Sequence, residues 1–585
     1  MSSGFPENPE KATLSREEDR RYRKTRIVCW SVCIGFALLE AWSGRQYTDP
    51  DGISYLDMSD ALLKHNWHLL INPHWSPLYP FLIGIATWLI RPSTYWELPI
   101  VHIVNFAIFL GALASFEFLL RQVISVLGRE GRPVDADSTA PQPAWRWQLL
   151  GYSLFAWSTF VMISGVRRVN PDLCVAMFVY LDAGLLLRLR TSAKTSRVCL
   201  LLGLALGFGY LAKAILFPMA FVFMAVAYFV VGKWQRAILP LAMTLLLFSA
   251  IASTLFIGIS QMVGRPSFGE SGTLNVAWQI NGEQMLPFCS SAPPCELKHP
   301  MNLLYKRPNV FGFAEALPST YPLWQDPQYW NAGAGTAFHP RKQLHAIRRN
   351  LVVLVASLYM LPMWGLIAGG FILSFLSADV PHRLQHFTRS WPLLVPGIVA
   401  LSAYALVLIE ARYIAPFVVL VFLGLFPGVL LHRSQNNARR SVIATVAIAA
   451  SLTVFTALFI ILHLVAPLPI LRGHGGVHYQ AAESLNREGL QPGEAVGIVG
   501  SGWDAMLWAR LARVRIVAQV PPEDASDLWG TSDPRVKAEV YEAFAKAGAK
   551  AIVTEETPPT DGFADWQRVG DTQYYVHFLA LSQDK

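Results

Sequence analysis

Ser76-Pro-Leu-Tyr-Pro-Phe-Leu-Ile-Gly-Ile-Ala-Thr-Trp-Leu-Ile90 is the stretch whose reading decides how the chain is threaded. It is apolar but shorter than the roughly 20 residues a crossing helix needs, and Pro77 and Pro80 interrupt its start. Apolar segments of spanning length lie at 26–44, 97–120, 146–165, 172–190, 198–216, 217–232, 237–260, 350–377, 391–409, 413–431 and 441–466, about eleven in all. If 76–90 does not cross, the basic loops Arg121–Arg146, Arg188–Arg197, Lys233–Arg236, His382–Arg389 and His432–Arg440 all share the side of the basic N-terminus. If it crosses, each of them faces outward, against the positive-inside rule. The run is therefore read as a juxtamembrane or re-entrant helix of the first external loop.

Composition agrees with a chain that lives in lipid. Its 585 residues are 53% hydrophobic and 15% charged, and the mean hydropathy is +0.35. These values exclude an ordinary soluble protein, and the long continuous apolar runs exclude an outer-membrane barrel, which needs short alternating strands. The expected class is a polytopic α-helical membrane protein with a C-terminal soluble α/β domain. The net charge of +8 is spread over short clusters between spans, so it reports orientation and not nucleic-acid binding. Residues 1–25 are expected to be cytoplasmic, followed by a retained signal anchor in a multi-pass inner (cytoplasmic) membrane protein.

The same parity places 45–96, Val166–Asp172, the loop Gln261–Arg349, the corner Glu410-Ala-Arg412 and the tail 468–585 on the external, periplasmic face, with 26–467 as the transmembrane domain. Cys289 and Cys295, separated by five residues in the long loop, are expected to form a local disulfide there; a metal site lacks a second Cys or His pair at ligand spacing. In the tail, β-like runs at Ala495–Val499, Arg515–Val520, Ala549–Val553 and Tyr574–Leu579 alternate with helical ones at Tyr479–Arg487, Asp504–Ala512 and Pro534–Ala547. Gly497-Ile-Val-Gly-Ser-Gly502 lacks Gly-x-Gly-x-x-Gly spacing and reads as a plain strand-to-helix turn.

Chemistry gathers in the first external loop, at Tyr47-Thr-Asp-Pro-Asp-Gly-Ile-Ser-Tyr55. Asp49 and Asp51 around a proline make an acidic turn in most soluble proteins, but here they sit at a membrane surface on a loop with its own ordered structure. Together with Trp75-Ser-Pro-Leu-Tyr-Pro80, Asn170-Pro-Asp172, Tyr210-Leu-Ala-Lys213 and Ala411-Arg-Tyr-Ile-Ala-Pro416, this segment resembles the GT-C superfamily. Those are membrane glycosyltransferases using polyprenyl-phosphate sugars, and the likeness is to the aminoarabinose transferase and protein O-mannosyltransferase branch. It covers roughly the first 470 residues and rests on the order of short motifs.

The resemblance implies an inverting glycosyltransferase that moves a sugar from a polyprenyl-phosphate donor to an acceptor lipid, glycan or protein on the external face. Asp51 is then the base, with Asp49 assisting it or capping the turn. Asp172 is either a second acid or a helix cap. Lys213, costly inside an apolar run, and Arg412, beside Glu410, are candidates for the donor phosphate, as are Arg167 and Arg168. Tyr55, His74 and Trp75 are candidate loop or acceptor contacts. No cofactor is called for, and because Gly52 follows Asp51 a divalent metal has no paired carboxylate behind it. The alternative class is a transporter or flippase of lipid-linked sugars, which predicts polar residues along a path and repeated halves.

Overall fold

The computed structural model describes residues 9–130, 144–192, 194–232, 234–283, 285, 301–313, 318–326, 336–359, 388–430, 435–465, 474–531, 533–559 and 565–579. The architecture is a polytopic bundle of apolar helices with a mixed sheet beyond it. The helices of the bundle are α1 (Pro9–Gly44), α2 (Pro50–Leu63), α3 (Leu78–Ile90), α4 (Thr94–Glu130), α5 (Ala144–Ala156), α6 (Asp172–Leu189), α7 (Thr195–Ala212), α8 (Leu216–Val231) and α9 (Trp234–Val263), then α10 (Ser271–Val276). After a hairpin, β1 (Met301–Tyr305) and β2 (Val310–Phe313), come α11 (Pro322–Gln325), α12 (Pro340–Tyr359), α13 (Trp391–Val407), α14 (Ala411–Leu430) and α15 (Gln435–Val465).

Among the described residues five helices are long and apolar enough to cross a membrane: Glu17–Gly44, Thr94–Val126, Thr195–Ala212, Gln235–Val263 and Thr445–Leu464. Others expected as spans have local reasons to fall short. The segment 172–190 carries Asp172, Asp182 and Arg188, and the segment 146–165 passes from α5 into a π-turn at Trp157–Ile163. The segment 350–377 runs partly outside the described residues. The stretch 78–90 is a helix of 13 residues, grouped by length with the shorter apolar helices. Large apolar side chains point outward along the bundle, among them Leu239, Leu246 and Phe229, each about two-thirds exposed or more. Such a surface is stable against lipid tails and unstable in water. Where α7 meets α9, Gly203 and Gly207 admit a close approach: a Cβ at Gly203 would stand 2.7 Å from the Thr244 carbonyl oxygen.

The C-terminal part forms α16 (His474–Arg487), β3 (Ala495–Val499), α17 (Gly502–Ala512), β4 (Arg515–Val520), α18 (Pro522–Gly530), α19 (Pro534–Lys546), β5 (Ala551–Thr554), β6 (Gln567–Arg568) and β7 (Tyr575–Phe578). The sheet order is β1-β2-β4-β3-β5-β7-β6, with β4, β3 and β5 parallel and the flanking pairs antiparallel. Two of its seven strands thus come from the long loop, which joins the C-terminal sheet through Phe311 opposite Gln519 and Gly312 opposite Ala518. The glycine-rich segment 497–502 is a strand-to-helix turn, in which Gly500 takes φ of 109° between β3 and α17.

Candidate active site

Helix α2 begins at the acidic turn. Asp49, in extended backbone, caps it by accepting the Gly52 N–H at 3.0 Å, and Pro50 supplies the first helical φ. Asp51 lies in the first turn. Gly52 is required here by space, since a Cβ would stand 2.1 Å from Thr48 Oγ1 and 2.8 Å from Val169 Cβ. The acidic turn therefore presses against the 166–172 connection.

That connection opens α6 with Asn170 Oδ1 accepting the Asp172 N–H at 3.1 Å. Helix α7 stops at Ala212 because Lys213 turns to extended backbone. Its ammonium donates to Asp172 Oδ1 at 2.6 Å and sits 3.6 Å from the centroid of the Tyr413 ring. At the start of α14, Arg412 Nη2 donates to Asp51 Oδ2 at 3.0 Å and Arg412 Nε donates to Glu410 Oε2 at 2.7 Å. Arg412 Nε is also 3.9 Å from Asp172 Oδ2. Arg168 approaches Asp49 at 3.9 Å. Four separate segments thus converge where α2, α6 and α14 begin and α7 ends.

The cluster holds Lys213, Arg412 and Arg168 against Asp49, Asp51, Asp172 and Glu410. Burial, and next repulsion from Asp51, push the Asp49 carboxyl up to about 6, opposed by Arg412, the Gly52 N–H and Arg168. Among the described residues, Asp172 Oδ2, Asn170 Nδ2 and the Tyr404 hydroxyl are buried nearby without a hydrogen-bond partner. Tyr404 stacks on Tyr413 at 5.9 Å between centroids, and the Tyr413 hydroxyl accepts from Arg412 at 3.1 Å. Among the described residues no three His, Cys, Asp or Glu side chains are placed to hold a metal ion.

The remaining candidates have other places. Arg167 lies over the Tyr47 ring at 5.1 Å. Tyr55 is buried edge-on against Trp75 and Tyr79, both at 5.3 Å, and burial followed by the Asp51 charge raises its hydroxyl well above the usual range. His74 packs edge-on against Trp75 at 4.4 Å; burial, and then the Lys213 charge, lower it to about 4, so it is neutral at neutral pH. Trp75 Nε1 donates to the Gln325 carbonyl at 2.7 Å and so ties the first loop to the long one. Cys289 and Cys295 lie outside the described residues. Tyr413 and Tyr404 were not legible as site residues, although Tyr413 directly follows Arg412.

A second cluster fixes α2 from its other end. Arg510 of α17 is buried and donates to Asp57 at 2.9 Å, to Asp60 at 2.7 and 3.0 Å and to Glu97 at 2.5 Å. Arg513 adds Glu97 at 3.0 Å. Asp57 also accepts the Thr320 N–H and hydroxyl, both at 2.8 Å. Burial raises the Asp57 carboxyl to about 6 against the pull of Arg510, whereas for Asp60 the burial effect is outweighed by Arg510 and Arg513, leaving it below its ordinary value. The C-terminal part therefore grips the helix whose first turn carries Asp51. In sequence Asp57 and Asp60 form, with Lys64, the polar side of an amphipathic stretch with Leu56, Leu62 and Leu63, and nothing local links them to Arg510.

No family model matches the chain, and no curated protein matches it. Solved structures similar to it include ArnT from Cupriavidus metallidurans in the apo state, at 11% identity and a TM-score of 0.49, covering 96% of this chain and 100% of that one. The same protein bound to undecaprenyl phosphate aligns at 11% identity and a TM-score of 0.48, covering 96% and 99%. The Archaeoglobus fulgidus oligosaccharyltransferase, in complex with Zn and sulfate, aligns at 14% identity and a TM-score of 0.46, covering 89% and 67%.

Proposed function

We propose that this chain is an inverting glycosyltransferase that moves a sugar from a polyprenyl-phosphate donor to a hydroxyl or amine on the external face of the membrane. The observation that carries the reading is the convergence of Asp51, Arg412, Asp172 and Lys213 at the meeting point of helix ends. Glycosyl transfer from a phosphate needs both kinds of group at once. A carboxylate takes the acceptor's proton as its oxygen or nitrogen attacks the anomeric carbon, and cations stabilise the phosphate as the carbon–oxygen bond breaks. Asp51 is the base, Lys213 and Arg412 meet the phosphate, and the proton ends on Asp51 while polyprenyl phosphate departs. Asp49, bonded to the Gly52 N–H, holds the turn, and Asp172 orients Lys213.

In the structure Arg412 holds Asp51 itself, so donor phosphate and Asp51 compete for one guanidinium. Donor binding thereby releases the base. The test is transfer of radiolabelled sugar from a panel of polyprenyl-phosphate sugars by purified protein. Transfer that is lost in Asp51→Asn supports the reading; sugar-lipid movement across vesicles without transfer establishes a transporter instead.

A further inference from the structure

Beside the charge cluster runs a strip of aromatic rings that the reaction as described does not use. Trp278 faces His74 at 6.2 Å, His74 faces Trp75 at 4.4 Å, Trp75 faces Trp324 at 6.0 Å and Trp324 faces Trp503 at 5.4 Å, all between centroids. The strip joins the first loop, the long loop and the C-terminal part. It reaches the site through Tyr55, which stands edge-on to Trp75 at 5.3 Å and lies one helical turn past Asp51 on α2; His74 also feels the Lys213 charge. Its outer end is Trp503, 41% exposed.

The backbone beneath the strip is tied down around Asn72. Asn72 Oδ1 accepts the N–H groups of His74 and Trp75 at 2.8 and 3.0 Å, and Asn72 Nδ2 joins Trp75 Nε1 on the Gln325 carbonyl. The side-chain polar atoms along it are different. The indole N–H of Trp278, the indole N–H of Trp324, His74 Nδ1 and Gln325 Oε1 are buried and have no hydrogen-bond partner among the described residues. Buried polar atoms are normally satisfied, and leaving one unpaired costs roughly 1–3 kcal/mol.

We propose that this strip is the acceptor subsite and that the acceptor it takes is a glycan, presented as one or more neutral sugar rings. Resting on the transferase reading, the proposal names its acceptor class. Sugar rings offer C–H faces that pack on aromatic rings, and hydroxyls that both donate and accept. That combination fits two indole donors, one amide acceptor and an uncharged imidazole. The five rings of the strip are themselves uncharged at neutral pH, His74 included.

Full-length protein in lipid nanodiscs is applied to an array carrying neutral oligosaccharides and Ser/Thr-containing peptides. Wild-type protein is expected to retain glycans and not peptides. Trp278→Phe and Trp324→Phe, which keep a ring but lose the N–H, are expected to weaken retention about tenfold each. Trp503→Ala should do the same by removing a face. With an active donor, the Phe variants should raise the acceptor KM by a similar factor while kcat stays within about twofold, a split that general loosening of the fold would not give. Peptide retention in place of glycans, no retention at all, or variants that bind as wild type would each overturn the proposal. Glycan retention with no transfer from any donor would leave the subsite standing and defeat the transferase reading instead.

Discussion

Asp51→Asn has two effects of opposite sign. The carboxylate lies 3.0 Å from Arg412 Nη2, with side chains 22% and 13% exposed. At an effective dielectric of about 20 the gross attraction at that distance is about 5 kcal/mol, of which a charge-assisted hydrogen bond retains roughly 1.5–3 kcal/mol net. A donor phosphate must displace Asp51 to engage the guanidinium. The amide still fits but no longer competes as an anion, so donor affinity is expected to rise by about tenfold, the lower end of that range. Turnover moves the other way: losing a general base costs about 10²–10⁴ in kcat. The assay pairs calorimetric Kd for a short-chain polyprenyl-phosphate sugar with single-turnover transfer. A donor Kd weakened tenfold would refute the exchange of Arg412 between Asp51 and phosphate, and a kcat within threefold of wild type would refute Asp51 as the base.

Arg510→Ala is expected to cost roughly 3–5 kcal/mol, because it leaves Asp57 and Glu97 buried without their main cation; an unfolding temperature unchanged by scanning fluorimetry would contradict this. Asp57, raised to about 6, favours the folded state most when protonated, so its contribution is fully present below its unfolded value near 3.8 and is lost as pH rises through 6. The unfolding temperature should accordingly climb between pH 7 and pH 5, and Asp57→Asn should flatten that slope. Arg412→Lys loses the planar fork and should weaken donor binding about tenfold or more, measured by the same calorimetry. For topology, Arg129→Cys and Arg439→Cys should label only from the cytoplasm and Ser290→Cys and Gly530→Cys only from outside; labelling of Gly530→Cys from the cytoplasm would invert the site.

Much of the architecture was legible because it follows from local chemistry. The tail's four expected strands are found within two residues at each boundary, as 495–499, 515–520, 551–554 and 575–578, since short strands read as brief apolar runs between turn residues. The two further strands from 301–313 were not legible. The pairing of β2 with β4 joins residues some 200 positions apart, and nothing in a local pattern encodes such a register.

The site divides in the same way. Charge beside long apolar runs drew notice to Lys213, Arg167 and Arg168, because an unpaired charge there is costly, whereas Asp51, Asp172 and Arg412 were singled out by the order of short motifs that resemble GT-C enzymes. Which charge meets which was a matter of tertiary structure alone. Arg412 lies 361 positions from Asp51 and Arg510 lies 450 from Asp60, and each pair exists only because helix packing brings the ends together. Sequence could place Asp51 at a membrane surface; only the packed fold shows that its partner is the Arg412 guanidinium, since ion pairing depends on distance in space and not along the chain.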